Sequence, residues 1–369
     1  MPPRPLPPPI VATSNFRFAD TAELERALRR DGHMYSRWDN PTVEAAEARV
    51  SALTGAEATL CFGSGMAAIS TALLAGLADR PRLYCQAQVY GGTYELAAEL
   101  LPRWGVEVAW FEPETWPEVV RGEAGVVFIE TPTNPTLRCV DIPALARAAH
   151  ACGALLFVDN TFATPINQRS LALGADVELH SATKYLGGHH DLLAGTVSGS
   201  RAFIDRVWKH RKLLGGILDP FPAFLLHRGL ETLEVRVARQ NATALALARW
   251  LEEQPGVARV FHPGLPSHPD HALAARQMSG FGGMVSFEVR GGREAAVRVV
   301  DALEAIPLAA SLGGTGSLAC MPVNTSHVGV PEAERRRLGV ADGLVRLSVG
   351  IEPLEALRDD LARALACGV

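Results

Sequence analysis

The chain has 369 residues, 48% of them apolar and 20% charged, with a formal net charge of -5. That length exceeds one compact core and points to two domains with extensions in a soluble globular protein. The charge balance gives no broad basic field for nucleic acid, no apolar run reaches membrane-spanning length, and no signal-peptide pattern opens the chain, so a cytoplasmic protein is expected.

Residues 1–19 carry Pro2, Pro3, Pro5, Pro7, Pro8 and Pro9, which suit neither a helix nor a central strand and read as a tail or an extended arm. Asp20 with Glu23 predicts a capped helix running to about Arg29. Thr42 is expected to cap the next helix, whose apolar positions Val43, Ala46, Val50 and Leu53 share one face and which Gly55 ends.

From there strands and helices alternate. Strands are expected at Ala58–Phe62, Arg82–Cys85, Val106–Phe111, Gly125–Glu130, Ala154–Asp159, Asp176–His180 and Leu193–Ser198. Helices are expected from Met66, over Thr93–Trp104 and over Ile142–Cys152. This order implies an α/β fold with a mainly parallel sheet covered on both faces, and ligand residues at the carboxyl ends of its strands. Residues 220–253 read as long helical structure, stopped at Pro255-Gly256. Strands at Val257–Phe261, Met284–Val289 and Leu344–Val349, with helices at Arg293–Ala305 and from Pro353, then describe a smaller α+β domain. The six cysteines, Cys61, Cys85, Cys139, Cys152, Cys320 and Cys367, are scattered and read as reduced, mostly buried thiols.

The polar residues at the strand ends carry the chemistry. Lys184, in His180–His189 (HSATKYLGGH), is either a solvated surface charge or a carbonyl-trapping amine. Asp159 ends an apolar strand; it is either a structural ion-pair partner or a counter-ion for a buried cation such as a protonated pyridine nitrogen. Gly63-Ser64-Gly65 turns from strand into helix and offers free amides to a phosphate. The same turn meets a relaxed dinucleotide fingerprint through Ala68, but Asp79 comes too early to be its acidic partner, so only the phosphate reading survives. Tyr90, beside Gly91-Gly92, is either a packed surface ring or one stacked on a flat cofactor. Asn134, in a proline-stiffened loop, can hydrogen-bond a ring oxygen. Arg346 alternates with apolar residues in a strand and needs an anion, either internal or a ligand. An amine, an aspartate, an aromatic ring, a phosphate cup and an asparagine together are what a pyridoxal 5'-phosphate site requires. His189-His190-Asp191 lacks a third ligand at metal spacing, so no metal is expected.

The chain resembles the Cys/Met-metabolism, or trans-sulfuration, family of pyridoxal-phosphate enzymes. The matching segments run in order along nearly the whole chain: Tyr35–Thr42 (YSRWDNPT), Gly63–Ser70 (GSGMAAIS), Tyr90–Thr93 (YGGT), Glu130–Pro135 (ETPTNP), Asp159–Pro165 (DNTFATP), Ser181–His189 (SATKYLGGH) and Leu344–Glu352 (LVRLSVGIE). The resemblance implies PLP fold type I, with an arm over residues 1–41 reaching a neighbouring subunit, a cofactor domain over 42–235 and a small domain over 236–369. It implies that Lys184 carries the cofactor, that Asp159 keeps its ring nitrogen protonated, and that Tyr90 stacks on the ring and aids proton transfer. The backbone at Gly65 and Met66, with Ser181 and Thr183, would bind the phosphate, and Asn134 the ring hydroxyl. Tyr35 and Arg37 would reach a neighbour's phosphate, which implies a homo-oligomer, a tetramer built as a dimer of dimers. Arg346, with Ser311, would bind the carboxylate of a small amino-acid substrate.

The implied reaction is proton removal from Cα by Lys184 and a second proton loss at Cβ that releases the γ-substituent. A thiol then adds (synthase), or hydrolysis gives a 2-oxo acid and ammonia (lyase). The reading leans to a cystathionine γ-lyase-like carbon–sulfur lyase. Its alternatives are cystathionine γ-synthase, O-acylhomoserine sulfhydrylase and methionine γ-lyase, and, from another class, a nicotinamide-dependent oxidoreductase. The chain departs from the family at several places. Ala310 stands where glutamate or tyrosine is usual. Gly316 replaces a common glutamate, Gln86-Ala87-Gln88 an acidic stretch, and His190 a small residue. Gly92 stands where methionine γ-lyases have cysteine.

Overall fold

The computed structural model describes residues 5–326, 328 and 332–368; Pro2 and Pro3 of the proline-rich arm lie outside the described residues. Strands β1 (Ala58–Phe62), β2 (Arg82–Gln86), β3 (Glu107–Phe111), β4 (Val126–Glu130), β5 (Leu155–Asp159), β6 (Val177–His180) and β7 (Gly195–Gly199) form one sheet in the order β1-β7-β6-β5-β4-β2-β3. Neighbours from β6 through β3 pair in parallel, and only β7 runs against its neighbours β6 and β1.

Both faces of this sheet are covered, because its central strands are apolar at every position rather than at alternate ones. Val126 and Phe128 of β4 pack with Phe157 under the helix Gly65–Leu77, while Val127 and Ile129 face the other way, with Leu156 and Val158, toward the helix Ile142–Ala151. The polar residue closing each run therefore arrives at one edge: Gln86, Glu130, Asp159 and His180 end β2, β4, β5 and β6.

Strands β8 (Val257–Phe261), β9 (Met284–Val289), β10 (Leu318–Cys320) and β11 (Leu344–Ser348) form a second sheet, antiparallel throughout, in the order β10-β11-β9-β8. The helices Leu233–Glu252, Gly292–Asp301 and Leu354–Gly368 bury their apolar positions against it. The architecture is the expected α/β fold with a mostly parallel sheet and a smaller second domain.

Local differences from the expectations have physical causes. Asn40, not Thr42, caps the second helix: Pro41 takes the first helical position, and Asn40 accepts from the Thr42 amide at 2.9 Å. The expected helix over Thr93–Trp104 is three pieces, Gly91–Glu95, a π turn Leu96–Leu100, and Leu101–Arg103, with Pro102 barring a regular bond inside the run. The long helical stretch breaks into Pro220–Leu230 and Leu233–Glu252. β10, only three residues long, was not expected. Among the described residues no helix is long and apolar enough to cross a membrane.

Candidate active site

The edge where β2, β4, β5 and β6 end opens onto a cavity of ≈ 440 Å³, closed on its far side by the loop before β10 and by β11. Gly65, Met66, Tyr90, Asn134, Asp159, Ser181, Thr183, Lys184 and Arg346 all line it.

Lys184 sits in a tight loop after β6: its amide donates to Ser181 O at 3.0 Å, and its carbonyl accepts from Gly188 N at 2.8 Å. Its Nζ donates to Ser311 Oγ at 3.2 Å, which places Ser311 at the amine although it is not on the cavity wall. Burial, and then the neighbouring Arg346 guanidinium, push the Lys184 amine below its ordinary range. That shift eases loss of the ammonium proton, which a nucleophile or a proton acceptor requires.

Asp159 is buried at the end of β5. Its Oδ1 accepts from Thr161 N at 3.0 Å and from Thr161 Oγ1 at 2.5 Å. Thr161 Oγ1 in turn accepts from Ser181 N at 2.9 Å, so one hydroxyl ties the aspartate to the lysine loop. Burial pushes the Asp159 carboxyl up, and the Thr161 bonds oppose that. A cation placed at Asp159 would favour its ionised form.

The anion cup is built from two walls. Ser64 caps the helix Gly65–Leu77 by accepting from Ala67 N at 3.0 Å, which leaves the amides of Gly65 and Met66 without intrahelical acceptors. The facing wall is Ser181 and Thr183, the latter fixed by bonds of 3.2 and 3.0 Å between its hydroxyl and the backbone of Ala194. The walls meet so closely that a Cβ on Gly65 would lie 2.9 Å from Ser181 Cβ. Tyr90 follows β2, and a Cβ on Gly92 would lie 2.8 Å from its ring and 3.1 Å from Met66 Sδ, so glycine there gives the ring its place.

Arg346, on β11, is 3% exposed. It donates from Nη1 to Asn134 Oδ1 at 3.0 Å and from Nη2 to the Ser311 carbonyl at 3.3 Å, both neutral oxygens, while its buried Nε has no partner. A buried guanidinium with only neutral partners and an idle N–H fits an incoming carboxylate.

Two residues of this centre escaped the sequence reading: Thr161 and Glu130. Glu130 accepts from the amides of both Tyr90 and Asn134, at 2.8 and 3.0 Å. The available signal was an acid closing the apolar run Val-Val-Phe-Ile, the pattern that singled out Asp159 after Leu-Leu-Phe-Val. Two expected residues lie elsewhere. Tyr35 pairs with Asn15 of the arm, and Arg37 donates to Lys212 O at 2.5 Å; neither lines the cavity of its own chain.

The residues that depart from the family pattern have defined places. Ala310 lines the cavity. Gln88 donates to Leu338 O at 2.9 Å, and the His190 ring fills the space beside Gly314, whose Cβ would lie 2.0 Å from it. A Cβ on Gly316 would meet nothing within 4 Å. Among the described residues no group of three or more His, Cys, Asp or Glu side chains is placed to hold a metal.

These residues fit pyridoxal 5'-phosphate. The cup would take its phosphate, Asp159 would pair with its ring nitrogen, Lys184 would supply the amine, and Tyr90 would supply an aromatic face. Comparison with known proteins agrees. The family described as Cys/Met metabolism PLP-dependent enzyme matches residues 4–366. The chain is 43% identical over 366 residues to cystathionine gamma-synthase 1, chloroplastic, of Arabidopsis thaliana, covering 97% of this chain but 64% of that protein's length. It is also 43% identical to O-succinylhomoserine sulfhydrylase of Pseudomonas aeruginosa, over 95% of this chain and 88% of that protein. The crystal structure of cystathionine gamma synthase from Xanthomonas oryzae pv. oryzae, in complex with cystathionine, superposes with a TM-score of 0.93 at 37% identity, covering 98% of this chain and 93% of that one. The nicotinamide alternative falls away with this match, and the fold is that of the pyridoxal-phosphate enzymes it resembles. The chain belongs to the Cys/Met metabolism family of enzymes that use pyridoxal 5'-phosphate as cofactor.

Proposed function

We propose that the chain acts at Cγ of an amino acid carrying a leaving group there, exchanging the acyloxy group of a homoserine ester for a thiol. The observation that carries this reading is the apolar part of the cavity lining, Phe162, Leu193, Ala310 and Leu312. The two carboxylates that line the cavity, Glu130 and Asp159, are already engaged, by the amides of Tyr90 and Asn134 and by Thr161. Such a lining suits the aliphatic chain of an acyl group better than the distal ammonium that cleavage of cystathionine presents. Identities of 43% to proteins named as γ-synthase and sulfhydrylase, against 39–40% to those named as γ-lyases, point the same way. Carbon–sulfur lysis, the reading the sequence favours, stands as the second possibility because those γ-lyases match over 94–97% of the chain.

The roles follow from the geometry. Arg346 would take the substrate α-carboxylate in a charge-assisted pair, with Asn134 and Ser311 fixing the guanidinium. That anchor would hold Cα within reach of the Lys184 amine. When bound, pyridoxal phosphate supplies the electron sink that makes the protons at Cα and Cβ removable. Lys184, whose proton is loosened by burial and Arg346, would accept the Cα proton, with Ser311 keeping Nζ on the substrate side. Asp159 would hold positive charge at the ring nitrogen. Tyr35 and Arg37 would complete the phosphate site of a second copy, which makes a homo-oligomer the working form.

A substrate panel tests the reading. O-succinyl- and O-acetylhomoserine with cysteine or hydrogen sulfide should give thioether or thiol amino acids at a kcat/KM above that for 2-oxo acid release from cystathionine. Release of 2-oxo acid from cystathionine as the faster reaction would replace it with the lyase reading.

A further inference from the structure

Glu130 closes β4 and pairs in register with Asp159 at the end of β5, so two carboxylates end side by side at the cavity edge. Glu130 is 5% exposed. Its Oε2 accepts from Tyr90 N at 2.8 Å and its Oε1 from Asn134 N at 3.0 Å, while its own amide donates to Gln86 Oε1 at 3.0 Å. Tyr90 begins the segment after β2, and Asn134 lies in the loop after β4. Asn134 then reaches across to the second sheet, accepting from Arg346 at 3.0 Å. One side chain thus joins the ring-stacking residue to the residue that holds the carboxylate-binding arginine.

The geometry calls for an acid side chain. Two backbone N–H donors converge on it, and a carboxyl group has an acceptor oxygen for each, ionised or protonated; a glutamine would turn an NH₂ toward one of them. Keeping an acid there is unfavourable, since burial and the neighbouring Asp159 push the Glu130 carboxyl up to about 8, against the two amide bonds and Arg346. A group that only closed off the sheet edge would not require an acid.

Building on the site reading above, we propose that Glu130 is a positioning residue: it fixes Tyr90 and Asn134 relative to each other, and so sets the stacked ring against the Arg346-bound carboxylate.

The test uses the full-length wild type and Glu130→Gln, both as apoprotein and loaded with pyridoxal phosphate. Glu130→Gln should keep the thermal midpoint of the loaded wild type to within a few degrees and still take up the cofactor. Losing one hydrogen bond and gaining a donor clash should weaken binding of an unreactive amino-acid inhibitor roughly ten- to hundredfold, lower kcat by a similar factor, and reduce the circular dichroism of the bound cofactor. With Asn134→Ala, the losses in inhibitor affinity should fall short of additive, because both substitutions break one chain of contacts. If Glu130→Gln does not fold, Glu130→Asp serves: it keeps the carboxyl group, but its shorter arm reaches one amide, so the same signals should shift in the same direction. Folded Glu130→Gln with wild-type inhibitor affinity and dichroism, or strict additivity with Asn134→Ala, would overturn the proposal. A wild-type protein that takes up no pyridoxal phosphate would overturn the site reading instead.

Discussion

Arg346 and Asn134 meet across the two sheets: the guanidinium on β11 donates to the amide oxygen in the loop after β4 at 3.0 Å. The residue proposed to hold the substrate is thereby tied to the edge proposed to hold the cofactor. Substrate affinity and cofactor affinity should still separate, because the hydrogen bonds of Arg346 go to Asn134 and Ser311 and not to the cup residues. Arg346→Lys keeps the charge but loses the fork geometry. It should raise KM for the amino-acid substrate roughly a hundredfold while leaving pyridoxal phosphate uptake near wild type. Steady-state kinetics beside a fluorescence titration of the apoprotein check this; an unchanged KM would remove Arg346 from substrate binding.

The opposite pattern is expected at Gly65. Its missing side chain lets the helix start and Ser181 come together, and a Cβ there would lie 2.9 Å from Ser181 Cβ. Gly65→Ala should spread the cup and weaken cofactor binding about tenfold or more, with KM for the amino acid little changed once the enzyme is saturated with cofactor. Equilibrium dialysis measures it. Wild-type affinity would mean that the phosphate lies elsewhere.

What the sequence disclosed tracks how local the cause was. Asp159, Tyr90 and the Ser181–Lys184 loop were legible because each ends an apolar run or carries a short motif, and a parallel sheet brings strand ends together. Thr161 was not, and for Glu130 the sequence shows its place after Val-Val-Phe-Ile but not its partners. Thr161 acts through two hydrogen bonds to residues 2 and 20 positions away, and Glu130 through the amides of residues 40 and 4 positions away. No periodicity records such pairings. β10 was missed because three residues carry too little pattern, and the Thr42 cap was misplaced because Pro41 was not weighed as a first helical residue. The reversed direction of β7 was equally out of reach, since nothing in Gly195–Gly199 states the direction of its neighbours.

Arg37 lies outside its own cavity, pinned to Lys212 O, and the proposal assigns it to a neighbour's site. Arg37→Ala and Lys184→Ala should each be nearly inactive alone. Unfolded and refolded together, they should recover about a quarter of wild-type activity, because half of the dimers would then hold one intact site of two. No recovery, with mixed oligomers demonstrated by mass, would place Arg37 in the site of its own chain or in none.

The pH dependence of stability has a defined sign at Glu130. Its carboxyl is raised from 4.5 to about 8 by burial and Asp159. Below about 4.5 both folded and unfolded chains hold the proton, and Glu130 adds its full share of stability. As pH rises toward about 8 the unfolded chain releases the proton and the folded chain keeps it, so that share is lost across this window. The difference in thermal midpoint, wild type minus Glu130→Gln, measured on cofactor-free protein, should therefore fall from pH 5 to pH 8. A difference that grew with pH would contradict the buried, unfavourable charge.

The central claim is that Lys184 is the amine that carries pyridoxal phosphate. The chain makes this sharp, because its only lysines are Lys184, Lys209 and Lys212. Lys209 is exposed, and Lys212 lies over the Trp38 and Trp208 rings at 4.6 and 4.9 Å. Protein loaded with pyridoxal phosphate, reduced with borohydride and digested, should yield a single labelled peptide with the mass of the fixed cofactor on Lys184. Label on Lys209 or Lys212 with Lys184 unmodified, or no label on a protein that takes up the cofactor, would contradict the account.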